Sequence, residues 1–193
     1  MKKIRPATLD DALAMTELVN MAGEGLPVYL WELMSDDGRS AWEIGQERAQ
    51  RETGAFSYRN TVVREVDGEV VACLIAYGLE DNPDAVDYSE MPPMFVPLQE
   101  LEDKVPGSWY VNVLATYPPH RGQGYGRELL LFAEKTARKL GKHRMSIIVA
   151  DSNAGARKLY ECQGYRELAQ RPIVKENWHH PGENWVLLVK ELQ

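Results

Sequence analysis

The sequence contains only two cysteines, Cys73 and Cys162, among 193 residues. Two cysteines so far apart provide neither the paired ligands of a zinc site nor a disulfide framework. No stretch approaches the roughly 20 consecutive apolar residues that a membrane-spanning helix needs, and residues 1–6 carry charge without the apolar core of a signal peptide. We therefore expect a cytoplasmic protein with no bound metal and no membrane attachment. Both cysteines are expected to be packing residues, with Cys73 inside an apolar strand.

The chain also lacks an excess of basic residues, since 22 Lys and Arg oppose 29 Asp and Glu for a net charge of −7. A nucleic-acid-binding domain usually carries a basic stripe, so this class of partner is disfavoured. An acidic surface is compatible with a cationic substrate such as an amine, which a carboxylate-lined cleft would attract. The length and the 44% apolar content are ordinary for one globular domain.

The most informative segment is the glycine run at 121–126, Arg-Gly-Gln-Gly-Tyr-Gly. It follows an apolar, β-branched stretch at 109–116 and leads directly into a segment with helical periodicity at 127–135. A strand that turns through glycines into a helix presents backbone N–H groups and the positive end of a helix to a phosphate. Glycines also allow close approach and backbone conformations that other residues avoid. The sequence therefore predicts a phosphate-bearing ligand.

Two common glycine-loop classes do not fit this run. A nucleotide-binding P-loop ends in Gly-Lys-Ser or Gly-Lys-Thr, and no such lysine follows these glycines. A dinucleotide-binding turn has the spacing Gly-x-Gly-x-x-Gly, whereas here Arg127 stands where the third glycine of that pattern should be. Both classes are therefore disfavoured.

The remaining pattern predicts an α/β protein. Asp67-Gly68 between two apolar runs is a strong hairpin signal. Residues 79–107 are rich in Asp, Glu, Pro and Met, and we expect a long loop that is functional or mobile. Strands are predicted over 4–7, 60–66, 69–77, 109–116, 145–150, 165–173 and 184–191, and helices over 8–23, 42–52, 127–140 and 153–163.

Three motifs, in the right order, resemble the GNAT family of N-acetyltransferases. The first is Arg121-x-x-Gly124-x-Gly126 after a strand, and the second is the segment 153–165 with Asn153, Leu159-Tyr160 and Gly164-Tyr165. The third is the opening Ile-Arg-Pro-Ala-Thr at 4–8, followed by Asp-Ala at 11–12. The resemblance covers essentially the whole chain and is weakest over 23–57 and 79–107. It implies a single GNAT-like domain over 1–193, with a mixed, mostly antiparallel sheet of six to seven strands and about four helices.

The resemblance implies that acetyl-CoA is the co-substrate. In this family the glycine turn holds the pyrophosphate, and the preceding strand lends main-chain groups to the pantetheine arm and the acetyl carbonyl. An N–H aimed at the thioester oxygen would stabilise the charge that develops there. We expect the side chain of Leu114 to pack in the core, and the side chains of Gln123 and Tyr125 to face solvent or cofactor. The cofactor-binding residues implied are Leu114, Ala115, Thr116, Arg121, Gly122, Gln123, Gly124, Tyr125, Gly126, Arg127 and Asn153.

The family places a tyrosine beside the CoA sulfur, which corresponds to Tyr160. A phenol, with an ordinary pKa near 10, can donate a hydrogen bond or a proton to a departing thiolate, whose conjugate acid has a pKa near 8.5. The alternative is a tyrosine that only packs against the sheet. Asn153 is expected to cap its helix and to contact the pantetheine arm.

The general base is not identified by any motif. Asn112 occupies the strand where the family often has an acid, and an amide cannot act as a base. The acids Glu100, Glu102 and Asp103 lie just upstream, although each is more readily interpreted as a solvated surface acid. His179 and His180 lie in the loop before the last strand, and an ordinary polar loop is the simpler interpretation there. Trp31, Trp42 and residues 91–94 could line an acceptor pocket or belong to the core and a lid.

The leading functional hypothesis is transfer of an acetyl group from acetyl-CoA to a primary amine of a small molecule, with Tyr160 as general acid. One alternative is a protein N-terminal or lysine acetyltransferase, and another is a non-catalytic acyl-CoA-binding sensor. GNAT proteins are often dimers, so a homodimer is compatible with the resemblance.

Overall fold

The computed structural model describes residues 2–35 and 38–193. In these ranges the chain forms seven strands and six α-helices. The strands are β1 (Lys2–Pro6), β2 (Thr61–Val66), β3 (Glu69–Gly78), β4 (Trp109–Thr116), β5 (Arg144–Ala150), β6 (Arg166–Pro172) and β7 (Asn184–Glu191). The helices are α1 (Ala12–Ala22), α2 (Leu26–Leu33), α3 (Ala41–Ala49), α4 (Val96–Glu102), α5 (Tyr125–Lys139) and α6 (Ala154–Cys162).

The strands form one sheet in the order β1-β2-β3-β4-β5-β7-β6. The pairs β1–β2, β2–β3, β5–β7 and β6–β7 are antiparallel, and β4–β5 is parallel. This confirms the predicted α/β class with a mixed, mostly antiparallel sheet, although the described residues form six helices rather than about four.

The contacts between residues divide the chain into two compact units. The first comprises Met1–Ala76 and Asn112–Phe132, and the second comprises Tyr77–Val111 and Ala133–Gln193. Strands β3 and β4 therefore contribute residues to both. That residues 1–193 make a single GNAT-like domain stays a prediction.

In the first unit the predicted hairpin joins β2 to β3. Asp67 and Gly68 have φ angles of 51° and 94°, which is the left-handed pair that a tight two-residue hairpin requires. The register of β2 and β3 shifts between Arg64 and Glu65, so Val71 is bulged out of the ladder. Its carbonyl instead accepts a hydrogen bond from the backbone N–H of Tyr117 at 3.0 Å. This bond fixes the chain just after β4, immediately before the glycine run.

Helices α1, α2 and α3 pack against one another in the same unit. Gly45 of α3 lies where Thr16 of α1 and the buried ring of Trp31 of α2 come closest. Trp31 also stacks on Phe56 with ring centroids 5.9 Å apart, so it is a core residue. Trp42, by contrast, is exposed.

In the second unit β7 lies between β5 and β6. Leu101 of α4 and Val105 just beyond it pack with Leu187 of β7, and all three are fully buried. The segment 79–107, predicted to be a loop, therefore contains a helix with a buried face, and that part of the prediction is wrong. Helix α4 is short, and three of its seven residues are polar or charged, namely Gln99, Glu100 and Glu102, so composition alone did not reveal it.

Two further differences concern residues 26–33 and Cys162. Helix α2 was not predicted, because Pro27 and the flanking glycines resemble a loop in sequence, whereas the proline occupies the first turn of the helix, where its missing N–H costs nothing. Cys73 is fully buried as predicted, but Cys162 is exposed, because it ends α6 on the solvent side.

Across 2–35 and 38–193, no helix has both the length and the apolar character needed to span a membrane.

The close packing at Gly45 generates a stability prediction. A Cβ at this position would lie 2.6 Å from Thr16 Cγ2 and 2.7 Å from Trp31 Cζ3. Overpacking of this kind costs about 1–3 kcal/mol, against about 1 kcal/mol gained in helix propensity. We expect Gly45→Ala to lower the free energy of unfolding, measured by urea denaturation. Gly155→Ala in α6 is the control, because its Cβ would meet nothing within 4 Å; equal stabilisation of both variants would contradict the prediction.

Candidate functional site

The predicted site residues are distributed over both units. Residues 114–116 and 121–127 lie in the first, and Asn153 and Tyr160 lie in the second. Each group is described within its own unit.

Strand β4 offers backbone groups near its end. Its parallel register with β5 joins residues 109–111 to 145–147, and β4 then continues to Thr116. Along this continuation Val113 and Ala115 are buried, whereas Asn112 is exposed and Leu114 and Thr116 are half-buried. The prediction that the Leu114 side chain packs in the core is therefore wrong, because it lies on the more open face of the strand.

The glycine turn has few internal hydrogen bonds. Gly122 and Gly124 have φ angles of 73° and 83°, and a Cβ at either would meet no atom within 4 Å. Glycine is therefore required here for backbone conformation and not for lack of space. Helix α5 begins at Tyr125. Within the described part of the chain, hydrogen-bond partners are absent for the N–H groups of five residues of this segment: Gly122, Gln123, Gly124, Gly126 and Arg127.

Arg121 is tied to the end of the strand that precedes it. Its Nε donates a hydrogen bond to the Thr116 carbonyl at 3.1 Å, and its backbone N–H donates to the carbonyl of Pro118 at 3.2 Å. Among the residues described, the terminal guanidinium nitrogens of Arg121 meet no acceptor. This exposed side chain therefore holds the turn with one nitrogen and leaves two for an anion. The same bond occupies one of the two lone pairs of the Thr116 carbonyl.

A buried arginine on β2 supports the first turn of α5. Arg64 is 6% exposed, its guanidinium carbon lies 5.0 Å from the centre of the Tyr125 ring, and it pairs with Glu128 at 3.0 Å. The Tyr125 hydroxyl donates to Gln123 Oε1 at 3.0 Å. The Tyr125 side chain was predicted to face solvent or cofactor, which is wrong, because the ring is buried under Arg64.

Tyr117 links the start of the turn to α1. Its hydroxyl donates a hydrogen bond to Glu17 Oε2, and its ring is half-buried. Burial, followed by the bond to Glu17, raises the pKa of Tyr117. With the Val71 bond to the Tyr117 backbone, both the main chain and the side chain of this residue are fixed.

In the second unit, Asn153 and Tyr160 lie on helix α6. The Asn153 side chain accepts a hydrogen bond from the N–H of Ala156 at 3.1 Å, which confirms the predicted N-cap. Tyr160 follows seven residues later, about two turns and roughly 10 Å along the axis, so both are on the same side of the helix. The Tyr160 ring contacts that of Tyr165 with centroids 5.9 Å apart.

Tyr160 is 5% exposed, and its hydroxyl has no hydrogen-bond partner in the described ranges. Burial raises the pKa of Tyr160, so the phenol remains protonated at physiological pH. The chemistry available to it is therefore donation. Tyr165 differs, because its hydroxyl contacts the Met145 sulfur at 3.7 Å.

The three acids near the start of β4 have different surroundings. Glu100 pairs with Arg171 of β6. Asp103 accepts hydrogen bonds from Tyr88 at 2.5 Å and from Gln99 at 2.8 Å. The interpretation of these acids as solvated surface groups is wrong, because they lie on or next to α4 and are half-buried.

Glu102 is half-buried without a basic partner in the described chain. Burial raises its pKa to about 7, partly offset by a hydrogen bond from the Tyr110 hydroxyl and increased further by the charge of Asp103. A carboxyl of this kind can exchange a proton near neutral pH.

The two histidines before the last strand, His179 and His180, also differ in their surroundings. His179 is exposed, whereas His180 is 4% exposed and stacks on Trp178 with ring centroids 4.4 Å apart. The His180 Nδ1 accepts a hydrogen bond from the N–H of Gly182 at 3.0 Å. The expectation of an ordinary polar loop is therefore wrong for His180, which belongs to an aromatic stack completed by Trp185.

Sequence reasoning missed Arg64, Tyr117 and the special environment of Glu102. For Arg64 the available signal was an arginine directly after two valines of β2. The described residues contain no group of three or more His, Cys, Asp or Glu side chains placed to hold a metal ion.

Comparison with known proteins identifies relatives. The chain is 41% identical over 58 residues to an uncharacterised N-acetyltransferase, YycN, of Bacillus subtilis, a match that covers 30% of this chain and 37% of that protein. It is 38% identical over 58 residues to an L-methionine sulfoximine/L-methionine sulfone acetyltransferase of Salmonella typhimurium, which covers 30% of this chain and 34% of that one. This chain thus spans about a third of the length of these curated relatives.

Solved structures share the fold. An N-acetyltransferase from Staphylococcus aureus superposes with a TM-score of 0.68 at 20% identity, covering 97% of this chain and 100% of that one. A GNAT family acetyltransferase from Elizabethkingia anophelis, solved with acetyl-CoA bound, superposes with a TM-score of 0.61 at 16% identity, covering 99% and 98%. The sequence profile of the acetyltransferase (GNAT) family matches residues 28–165. Because this match covers more than half of the chain, the protein belongs to the acetyltransferase (GNAT) family.

Proposed function

We propose that the protein transfers an acetyl group from acetyl-CoA to a primary amine of a small molecule. The observation that carries this proposal is the glycine turn, in which five N–H groups have no partner in the described chain and Arg121 keeps two guanidinium nitrogens available. Such a set of donors at the start of a 15-residue helix suits a pyrophosphate. Family membership and the neighbour solved with acetyl-CoA support this choice of ligand.

The acetyl end of the donor would lie along the end of β4. Main-chain groups of Leu114, Ala115 and Thr116 follow the point where the parallel register with β5 ends, so they are candidates to bind the pantetheine arm and the thioester oxygen. A preorganised N–H there stabilises the negative charge that develops on that oxygen during attack. Asn153, which caps α6, is the proposed contact to the same arm.

Tyr160 is the proposed general acid. Its hydroxyl has no competing acceptor in the described residues, and its raised pKa keeps it protonated. A protonated phenol next to a departing thiolate donates a hydrogen bond or a proton as the carbon–sulfur bond breaks.

A small amine is the proposed acceptor, because the relative from Salmonella typhimurium is named for small amino-acid derivatives. The overall negative charge of the chain is compatible with a cationic acceptor. We also propose that residues 1–193 form one GNAT-like domain, which is supported by a family match that includes residues of both units.

Acetyl transfer can be tested by thiol release from acetyl-CoA with a panel of amines. The panel should contain aliphatic amines, amino acids, L-methionine sulfoximine and a peptide with a free N-terminus and a lysine. We expect release with one or more small amines. Release with the peptide alone would favour the protein acetyltransferase. Binding of CoA without release on any member would favour the non-catalytic sensor and contradict the proposed reaction.

The glycine turn generates a binding prediction with a matched control. Gly124 and Gly141 have φ angles of 83° and 69°, and a Cβ at either would meet nothing within 4 Å. A leucine at either position should therefore cost a similar backbone strain of about 1–2 kcal/mol. We expect Gly124→Leu to weaken CoA binding by at least about tenfold, measured by calorimetry, because the side chain blocks approach to the amides. Gly141→Leu should leave the affinity unchanged, and equal losses would refute the site.

Tyr160 generates a kinetic prediction. We expect Tyr160→Phe to lower kcat by about 10²-fold, because the donor to the leaving sulfur is removed. CoA affinity should be unchanged, and removal of a hydroxyl without a protein partner should not lower the melting temperature. Tyr165→Phe, the neighbouring buried tyrosine, is the control. A Tyr160→Phe enzyme with the wild-type kcat would exclude the general-acid role.

A further inference from the structure

The half-buried carboxylate of Glu102 is the least compensated charge on helix α4. The two neighbouring acids have protein partners. Glu100 forms an ion pair with Arg171, and Asp103 accepts hydrogen bonds from Tyr88 and Gln99. Within the described residues, the Glu102 carboxylate accepts a hydrogen bond from the Tyr110 hydroxyl and has no basic partner. A buried ionised carboxylate without a cation is unfavourable, and proteins generally avoid it unless a ligand or a proton completes the site.

Aromatic rings form the surroundings of this carboxyl. Tyr110 of β4 is 4% exposed, and Tyr77 of β3 meets it edge-on with ring centroids 5.7 Å apart. Burial, followed by the charge of Glu102, raises the pKa of Tyr77, so this ring also lies within electrostatic reach of the carboxyl. Tyr77 and Glu102 are only partly buried, so solvent reaches part of each residue.

In the described chain, the two strands with the most contacts to α4, β6 and β7, bring no cation to Glu102. From β6 the charged group is Arg171, which is engaged by Glu100. From β7 the contacts are apolar, through Leu187 and its neighbours around Leu101. The groups that act on the Glu102 charge are therefore Tyr110, which stabilises it, and Asp103, which opposes it.

A carboxylate beside two tyrosine rings has the chemistry of an ammonium site. The carboxylate supplies the charge and hydrogen-bond acceptors, and aromatic rings near a cation add cation–π attraction once water is excluded. An anionic or neutral acceptor would gain nothing from this arrangement. The same carboxylate can accept a proton from the bound ammonium, as a free amine is needed for attack.

We propose that Glu102, Tyr110 and Tyr77 bind the acceptor as an ammonium ion and that Glu102 takes its proton. The proposal rests on the proposed acetyl transfer and adds the substrate class, a primary amine that is protonated when it binds. Glu102 removes one proton from R–NH₃⁺, the nitrogen lone pair forms the bond to the acetyl carbon, and the carbon–sulfur bond breaks. A second nitrogen proton is lost as the amide forms, the sulfur is protonated, and Glu102 returns its proton to water. Acetyl-CoA and ammonium thus give the acetamide, CoA thiol and one proton.

The experiment compares Glu102→Gln, Tyr110→Phe and Asp103→Asn with the control variant Glu100→Gln. For each, kcat/KM is measured from about pH 5.5 to about pH 9 with two amines of different basicity, propylamine and glycinamide. If one limb of the pH profile has the same midpoint pH with both amines, that limb reports the titration of a group on the enzyme and not of the amine. We expect wild type to gain activity through such a limb near pH 7, because burial raises the pKa of Glu102 from 4.5 to about 7 and only the ionised carboxylate accepts a proton.

In Glu102→Gln the limb should disappear and kcat/KM should fall by at least about 100-fold. In Tyr110→Phe the limb should move to higher pH, since the bond that stabilises the carboxylate is lost. A purely structural role for Tyr110 would not move it. The control Glu100→Gln should change kcat/KM by no more than about threefold. Asp103→Asn should move the limb to lower pH, because the charge of Asp103 raises the pKa of Glu102. A Glu102→Gln enzyme that keeps both its rate and its limb would overturn the proposal.

A second measurement separates this proposal from the proposed function. Binding of propylamine, protonated at pH 7.5, to the CoA-bound protein is measured by calorimetry, and Glu102→Gln should weaken it by at least about tenfold. If the wild-type protein acetylates no amine, the proposed function fails, and the binding measurement alone then tests whether Glu102 binds an ammonium ion. Unchanged binding in Glu102→Gln would refute that site.

Folding of the variant is checked by its melting temperature at about pH 8. The pKa of Glu102 is raised on folding, so ionisation of its carboxyl destabilises the folded state, and stability falls as the pH rises from 4.5 through about 7. Glu102→Gln removes this cost and should melt no lower than wild type. Loss of activity in a variant that melts as high as wild type is therefore a functional effect.

Discussion

The glycine turn must keep its own N–H groups unpaired, and the structure around it is arranged to satisfy this constraint. A loop that does not hydrogen-bond to itself needs to be held from outside, or it would lose its shape at little cost. Here the Val71 carbonyl holds the Tyr117 backbone before the turn, and Arg64 holds Tyr125 and Glu128 after it. Arg64 also neutralises Glu128, an acid in the first turn of α5 that would otherwise repel a phosphate. A bulge in β2–β3, which releases the Val71 carbonyl, thus supports the proposed anion site although it lies outside the motif.

What the sequence could predict is local in origin. The hairpin at Asp67-Gly68, the apolar periodicity of α5 and the Asn153 cap each depend on residues close together in the chain, and the structure has all three. The opening motif also has a local physical cause, since Arg5 binds Asp11 through two hydrogen bonds and Asp11 accepts the N–H of Thr8, which joins β1 to the start of α1. A motif of this kind can be read in sequence because the contacts that it encodes span only six residues.

What the sequence could not predict depends on distant contacts. Helix α4 has only seven residues, and its burial is decided by Leu187, more than 80 positions away. Arg64 meets Tyr125 and Glu128 across about 60 positions, so the sequence around this arginine gives no indication of its partners. The three acids around α4 look equivalent in sequence. Their differences arise from Arg171, Tyr88 and Tyr110, which the fold brings to each of them separately.

Burial shifts the pKa of both proposed proton-transfer groups in the same direction, but the consequence for their chemistry is opposite. It disfavours the charged form of each and so raises both pKa values, but the starting points differ. For Tyr160, with an ordinary pKa near 10, a further increase keeps the phenol protonated, and only donation remains. For Glu102 the increase brings the carboxyl from the acidic range to about 7, where it can both accept and release a proton. Desolvation is the largest cause of both shifts, and it therefore favours an acid role for the tyrosine and a base role for the glutamate. An ammonium substrate bound next to Glu102 is a cation that lowers the pKa of this carboxyl, so its binding favours the carboxylate form that accepts the proton.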